Sequence, residues 1–198
     1  FRGIFALATG AGKTITALHG AVVVANERKK QGGKTVLIVS VPYQVLADQW
    51  CEVMQIFNID AIPCYRSSSL WVNRLENEIA NLDLLEEKSF IAIVVVNATL
   101  TGDLFQKTIK NFKKERIIFI GDECHHHASE NLIKALPDSE YRIGLSATPW
   151  SDRDVSKKLI LSKYYGDVVA SYGIDDALRD GVLCSYHYKA YPVTLSDE

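Results

Sequence analysis

The chain has 198 residues, a length that suits one domain or at most a compact pair. Hydrophobic residues make up 47%, charged residues 23%, and the formal net charge is -2, which excludes disorder, collagen and any global basic field that advertises a nucleic-acid partner. The charges are evenly spread, with 9 basic and 9 acidic side chains in residues 1–100 and 13 and 15 in residues 101–198.

In chain order, short apolar, β-branched runs alternate with helical patterns. The first run, Gly3–Ala8, reads as a strand, and the run Ile15–Ala25 after it reads as a helix. Arg28, Lys29, Lys30 and Lys34 surround the turn Gln31-Gly32-Gly33 and are expected to form a solvated basic loop. Thr35–Val41 is the second strand. Leu46, Trp50, Val53 and Phe57 then recur at helical spacing and predict one apolar helix face.

Ile59–Tyr65 reads as a strand. Trp71, Leu75, Ile79, Leu82 and Leu85 mark the next helix, with the serines at 67–69 offering its N-cap. Strands follow at Phe90–Val96, Arg116–Ile120 and Arg142–Leu145, with turns at Pro137-Asp138 and Gly166-Asp167. A helix is expected at Ile174–Arg179, ending at Gly181. Tyr186–Leu195 alternates like an exposed strand and reads as a connector. Continuous apolar strands alternating with helices predict an α/β domain with a parallel sheet flanked by helices.

The four cysteines, at 51, 64, 124 and 184, form no C-x-x-C pair, so free thiols in a reducing cytoplasm are expected. The longest apolar run is the seven residues Phe90–Val96, too short for a membrane span, and no membrane partner is expected. The chain starts without methionine at the edge of a strand, which predicts a piece of something longer.

Two segments carry chemistry. Ala8-Thr9-Gly10-Ala11-Gly12-Lys13-Thr14 joins the first strand to the first helix. Glycines there let backbone N–H groups turn inward at the positive end of the helix, as a phosphate-binding loop requires. Lys13 would reach the β- and γ-phosphates of ATP, and the Thr14 hydroxyl would coordinate Mg²⁺. The generic pattern has glycine at the position of Leu7. The strand Ile117–Ile120 runs through Gly121 into Asp122 and Glu123; the first acid suits magnesium, and the second suits positioning and deprotonating water.

Cys124-His125-His126-His127 contains zinc-ligating residue types, but adjacent side chains rarely converge on one tetrahedral ion, and at least one histidine is expected to be solvated or packed. Ser146-Ala147-Thr148-Pro149 ends a strand with two hydroxyls, which suit either a capped turn or a link to a neighbouring loop.

Together, Thr9–Thr14, Asp122-Glu123-Cys124-His125 and Ser146-Ala147-Thr148-Pro149 resemble motifs I, II and III of a superfamily 2 helicase with a DECH box. Val41–Trp50 resembles motif Ia, and Gly144–Trp150 with Arg153 and Asp154 is most similar to restriction-enzyme helicase subunits. The resemblance covers about residues 3–195 and implies a RecA-like P-loop NTPase domain, the first of two motor lobes, over 1–170, with 171–198 completing it and leading toward a second lobe.

Residue by residue, it implies that Thr9, Gly10, Ala11, Gly12, Lys13 and Thr14 hold ATP and Mg²⁺. It further implies that Asp122 binds Mg²⁺ through water and Glu123 is the catalytic base. His125, Ser146 and Thr148 would couple nucleotide state to nucleic-acid grip, and Pro42, Tyr43, Gln49, Asn97 and Thr99 would face the nucleic-acid strand.

DNA is favoured over RNA by the same resemblance, which also implies nuclease or modification partners. The adenine-reading segment and the second lobe with its arginine finger are expected outside these residues, so slow turnover is expected of this chain alone. A regulatory nucleotide-binding module without motor activity is the alternative. A small-molecule phosphotransferase is disfavoured by the acidic box and the Ser-Ala-Thr-Pro turn.

Overall fold

Thr35–Val41 is buried along its entire length, as a strand covered on both faces must be. The computed structural model describes residues 1–110, 112–151, 153–185 and 189–191. Among these, seven strands form one all-parallel sheet: β1 (Arg2–Leu7), β2 (Thr35–Val41), β3 (Ala61–Cys64), β4 (Phe90–Val96), β5 (Ile117–Asp122), β6 (Tyr141–Ser146) and β7 (Val168–Tyr172). Their spatial order is β3-β4-β2-β5-β6-β1-β7.

Among the described residues seven α-helices lie between strands, α1 (Lys13–Lys30), α2 (Gln44–Ile56), α3 (Ser68–Leu84), α4 (Asn97–Leu100), α5 (Asp103–Ile109), α6 (Glu130–Ala135) and α7 (Val155–Tyr165), and α8 (Ile174–Arg179) follows β7. No described helix is long and apolar enough to cross a membrane.

Side-chain alternation along β2 divides the core. Leu37, Val39 and Val41 pack with Ala17, Leu18 and Ala21 of α1 and Ala47, Trp50 and Met54 of α2. Val36 and Ile38 join Trp71, Leu75 and Leu82 of α3, Phe105 of α5, and Leu161 and Tyr165 of α7 on the other face. Burying each such aliphatic or aromatic side chain contributes about 1.5–3 kcal/mol before the entropy of ordering it.

Several sequence expectations shift. The buried stripe of α2 is Ala47, Trp50 and Met54; Leu46 and Val53 are half-buried, and Phe57 lies exposed at the C-cap. On α3, Trp71, Leu75 and Leu82 are buried, whereas Leu85 falls just past the helix and is exposed. Ser67 occupies the N-cap position without a side-chain capping bond; its hydroxyl meets that of Ser69 at 2.8 Å.

The basic residues do not make a loop. Arg28, Lys29 and Lys30 are the last turn of α1, where cations suit the helix dipole. Lys34 lies just before β2, and its ammonium donates to the carbonyls of Leu82, Asp83 and Leu85, completing the C-terminus of α3. β7 was not anticipated: it is a short edge strand, mostly exposed, that pairs with β1. The strand expected at Tyr186–Leu195 lies outside the described residues except for 189–191, which are not strand.

Candidate nucleotide site

In a parallel sheet every strand ends at the same edge, and ligands bind in the crevice outside those carboxyl ends. The strand order sets the chemistry-bearing loops in a row along that edge. Asn97 follows β4, Pro42-Tyr43 follows β2, Asp122-Glu123 closes β5, Ser146 closes β6, and the glycine loop follows β1. Only β6 separates the acids from the glycine loop, about 10 Å at ordinary strand spacing. Segments more than a hundred residues apart therefore meet. Thr9, Gly10, Gly12, Lys13 and Thr14 line the same cavity, about 510 Å³, as Asp122 and Glu123.

The glycine loop is shaped by two left-handed residues, Gly10 at φ 82° and Gly12 at φ 75°. A side chain at Gly12 would meet nothing within 4 Å, so conformation rather than crowding requires glycine there. Gly12 is also the N-cap of the 18-residue α1 and supplies no side-chain cap, which leaves the first helical N–H groups without a side-chain partner. Lys13 turns its ammonium back onto the carbonyls of Leu7 (3.0 Å) and Ala8 (3.3 Å). The Ala11 N–H donates to Ala8 at 3.2 Å, and Ala11 does not line the cavity.

This donor set fits a polyphosphate: an uncapped helix N-terminus, an ammonium at its first turn, and two acids opposite that suit a divalent cation. Thr14 and Asp122 line this cavity with the oxygen ligands that Mg²⁺ takes.

Asp122 is 7% exposed, and both of its oxygens have donors. Oδ1 accepts the Glu123 backbone N–H at 3.0 Å, and Oδ2 accepts the Trp50 indole N–H at 2.8 Å. Glu123 is in the left-handed region, φ 47° and ψ 50°. For a residue with a Cβ this costs about 1–3 kcal/mol, and such strain concentrates at functional positions.

Next to Glu123 the polypeptide makes a 3-10 turn, Cys124–Ala128, and its three histidines have three different environments. His125 Nδ1 lies 3.3 Å from Glu123 Oε2 and 3.1 Å from Ser146 Oγ, and that hydroxyl accepts the Thr148 N–H at 3.2 Å. Burial and then the neighbouring His126 lower the His125 pKa, so near neutral pH Nδ1–H is a neutral donor rather than half of an ion pair. His126 meets the edge of the Tyr43 ring at 5.8 Å between centroids, so the turn after β2 touches the acidic turn directly.

His127 is completely buried. Its Nε2 lies 3.2 Å from Asn97 Oδ1, an atom that only accepts, so Nε2 carries the proton and Nδ1 accepts from the Tyr165 hydroxyl at 2.6 Å. Ser40 Oγ also donates to Asn97 Oδ1, at 2.7 Å. The space comes from Gly121, where a Cβ would sit 2.1 Å from the Tyr165 hydroxyl and 2.7 Å from the His127 ring. Gly144, paired with Gly121 in the register, makes similar room for Cys124 Sγ, 3.0 Å from where its Cβ would be.

Among the residues expected to face a nucleic-acid strand, Tyr43 is 61% exposed and Pro42 and Thr99 are half-buried along the same edge. Two are placed otherwise. Asn97 is 8% exposed, with its carboxamide oxygen engaged by Ser40 and His127. Gln49 is exposed but lines the nucleotide cavity from α2. Asp154 caps α7 by accepting the Lys157 N–H at 3.2 Å.

Sequence reading missed the contacts of Trp50, which its helical spacing marks as core, and did not single out His127 among the three histidines. Only the non-local partners Asp122 and Asn97 distinguish them, and spacing carries no signal of those.

Residues 1–151 match the family described as "Type III restriction enzyme, res subunit". Among curated proteins no sequence matches the chain. The fold resembles three solved structures. A nuclease-deletion mutant of the Type ISP restriction-modification enzyme LlaGI, in complex with a DNA substrate mimic, is 18% identical with a TM-score of 0.69, over 91% of this chain and 19% of that one. The ATP-dependent Type ISP restriction-modification enzyme LlaBIII bound to DNA is 18% identical, TM-score 0.67, over 93% of this chain and 14% of that one.

The Pyrococcus furiosus Hef helicase domain is 19% identical, TM-score 0.58, over 90% of this chain and 36% of that one. The chain thus spans a minor part of each of these structures. At this identity the three likenesses carry the fold, and the match over residues 1–151 carries the family. The chain belongs to the Type III restriction enzyme res subunit family and has the RecA-like fold found in the Hef helicase domain and the two restriction-modification enzymes.

Proposed function

We propose that this chain is the first motor lobe of an ATP-driven translocase that moves on DNA, with ATP bound between the glycine loop and the acids of β5. The observation that carries the proposal is that Lys13, Thr14, Asp122 and Glu123 line one cavity.

In this reading the α1 N-terminus and Lys13 bind the β- and γ-phosphates, the ammonium giving up the carbonyls of Leu7 and Ala8 to do so. Thr14 and Asp122, the latter through water, would hold Mg²⁺, which would supply charge neutralisation at the phosphate oxygens. Glu123 orients water against the γ-phosphate and takes its proton.

His125 touches Glu123 and Ser146 together, and Ser146 holds the Thr148 N–H, so a change at the base is felt by the turn after β6. Tyr43, exposed and in contact with His126, links the strand-facing turn to the same acids. Pro42 and Thr99 extend that face, whereas Asn97 supports it from behind. In this reading residues 1–170 form the lobe, and residues 171–198, which include α8, complete it and lead toward a second one. DNA is favoured because two structures of similar fold were solved with DNA or a DNA mimic.

A charge-stabilising arginine from a second lobe is worth about 10³–10⁵ in rate in related phosphoryl transfers. The 198-residue chain is therefore expected to hydrolyse ATP slowly and to show no response to DNA. Phosphate release with and without duplex DNA measures this, and brisk turnover stimulated by DNA in this chain alone would refute the requirement for a second lobe.

A further inference from the structure

Trp50 lies in the middle of α2, is 1% exposed, and packs in the core cluster of α1, α2 and the sheet. A buried indole needs an acceptor for its N–H. Here that acceptor is the Oδ2 of Asp122, 72 residues along the chain, at 2.8 Å. The other oxygen of the same carboxylate takes the Glu123 N–H at 3.0 Å. A carboxylate has about four lone-pair sites, and these two donors use one on each oxygen. The torsion that spins a carboxylate about its own axis is soft, so a free Asp122 would sample many orientations. Held by N–H groups from two directions, it has one.

We infer that Trp50 is a positioning residue for the metal: its N–H locks the Asp122 carboxylate so that the remaining lone pairs face the cavity. The inference rests on the nucleotide reading above. An apolar side chain could fill this part of the core but would offer the Asp122 carboxylate no donor. The bond is also of the charge-assisted type, N–H to a carboxylate, and stronger than a bond between neutral groups. Trp50 sits on the helix that begins at the Tyr43 turn, so one rigid element carries both the exposed tyrosine and the clamp on the metal acid.

Removing an outer partner of a metal-holding carboxylate typically weakens metal affinity about 10–100-fold. The test is binding of a fluorescent ATP analogue to the 198-residue chain, titrated with Mg²⁺ and repeated in EDTA. Trp50→Phe is expected to raise the half-saturating Mg²⁺ about 10-fold while leaving binding in EDTA unchanged. Trp71→Phe is the control. Trp71 is equally aromatic and buried (3% exposed) but packs against Phe105 in the opposite core, and its replacement should leave the Mg²⁺ dependence alone.

Should Trp50→Phe not fold, 3-benzothienylalanine at position 50 keeps the bicyclic shape and replaces only the N–H by sulfur, with the same expected shift. A wild-type Mg²⁺ dependence in the Trp50 variant, or equal losses with and without Mg²⁺, would overturn the assignment of Trp50. Failure of the wild type to bind the analogue at all would overturn the nucleotide reading, and this inference with it.

Discussion

Glu123→Gln is expected to lower ATP turnover by about 10²–10⁴-fold, the usual contribution of a positioned general base. Affinity for Mg·ATP should be unchanged. Glutamine has the same length and shape, so it can occupy the same left-handed backbone position. The bond that orients Asp122 comes from the backbone N–H of residue 123 and survives the exchange. What is lost is the proton acceptor; the amide oxygen still accepts the His125 contact that Oε2 makes at 3.3 Å.

Single-turnover hydrolysis of labelled ATP reads the chemical step even when it is slow, and nucleotide binding is measured in parallel. A variant that binds and does not hydrolyse assigns Glu123 as the base and separates a motor from a module that only binds. Turnover at the wild-type rate would remove Glu123 from the mechanism.

Acid should destabilise this domain through His127. Complete burial, and then the nearby His126 and His125, lower its pKa to about 3. In the unfolded chain the imidazole titrates near its ordinary value of about 6.5. Above that value neither state is protonated and His127 is neutral toward pH. As pH falls below it, the unfolded chain takes up a proton that the native state refuses, so stability is lost continuously until pH approaches the folded value.

The slope is at most about 1.4 kcal/mol per pH unit, or about 2 kcal/mol between pH 6.5 and pH 5. Urea unfolding of the wild type and of His127→Gln at pH 7 and pH 5 measures it. The variant should be the less stable at pH 7, because Tyr165 and Asn97 lose their partner. At pH 5 the difference should shrink by about 2 kcal/mol. A difference that stays constant with pH would mean that His127 is protonated in the native state.

The same residues show why some of this was legible in the sequence and some was not. The strands at Thr35–Val41 and Phe90–Val96 were readable to the residue, because a strand buried on both faces has to be apolar at every position. β7 was not, since a short, mostly exposed edge strand carries no such run. The stripe on α2 was misplaced by one position. Leu46 and Val53 are apolar because they line a cavity, and Ala47 and Met54 are the residues that reach the core.

That Lys13, Thr14, Asp122 and Glu123 share one cavity could be expected in advance, because the pattern they match restricts residue types at fixed spacing beside strands and helix ends. The roles of Trp50, Asn97 and His127 depend on partners 30 or more residues away. No local pattern encodes those partners; they follow from the order in which the strands lie.

The claim on which the account stands is that a triphosphate with its metal fills the space between the α1 N-terminus and the acids of β5. Equilibrium binding of Mg·ATP to the wild type and to Lys13→Ala tests it most directly. Hydrogen bonds to charged groups are worth about 1.5–3 kcal/mol, so the account predicts that the wild type binds and that the variant binds roughly 10–100-fold more weakly. No binding by the folded wild type, or equal affinity in the two proteins, would contradict it.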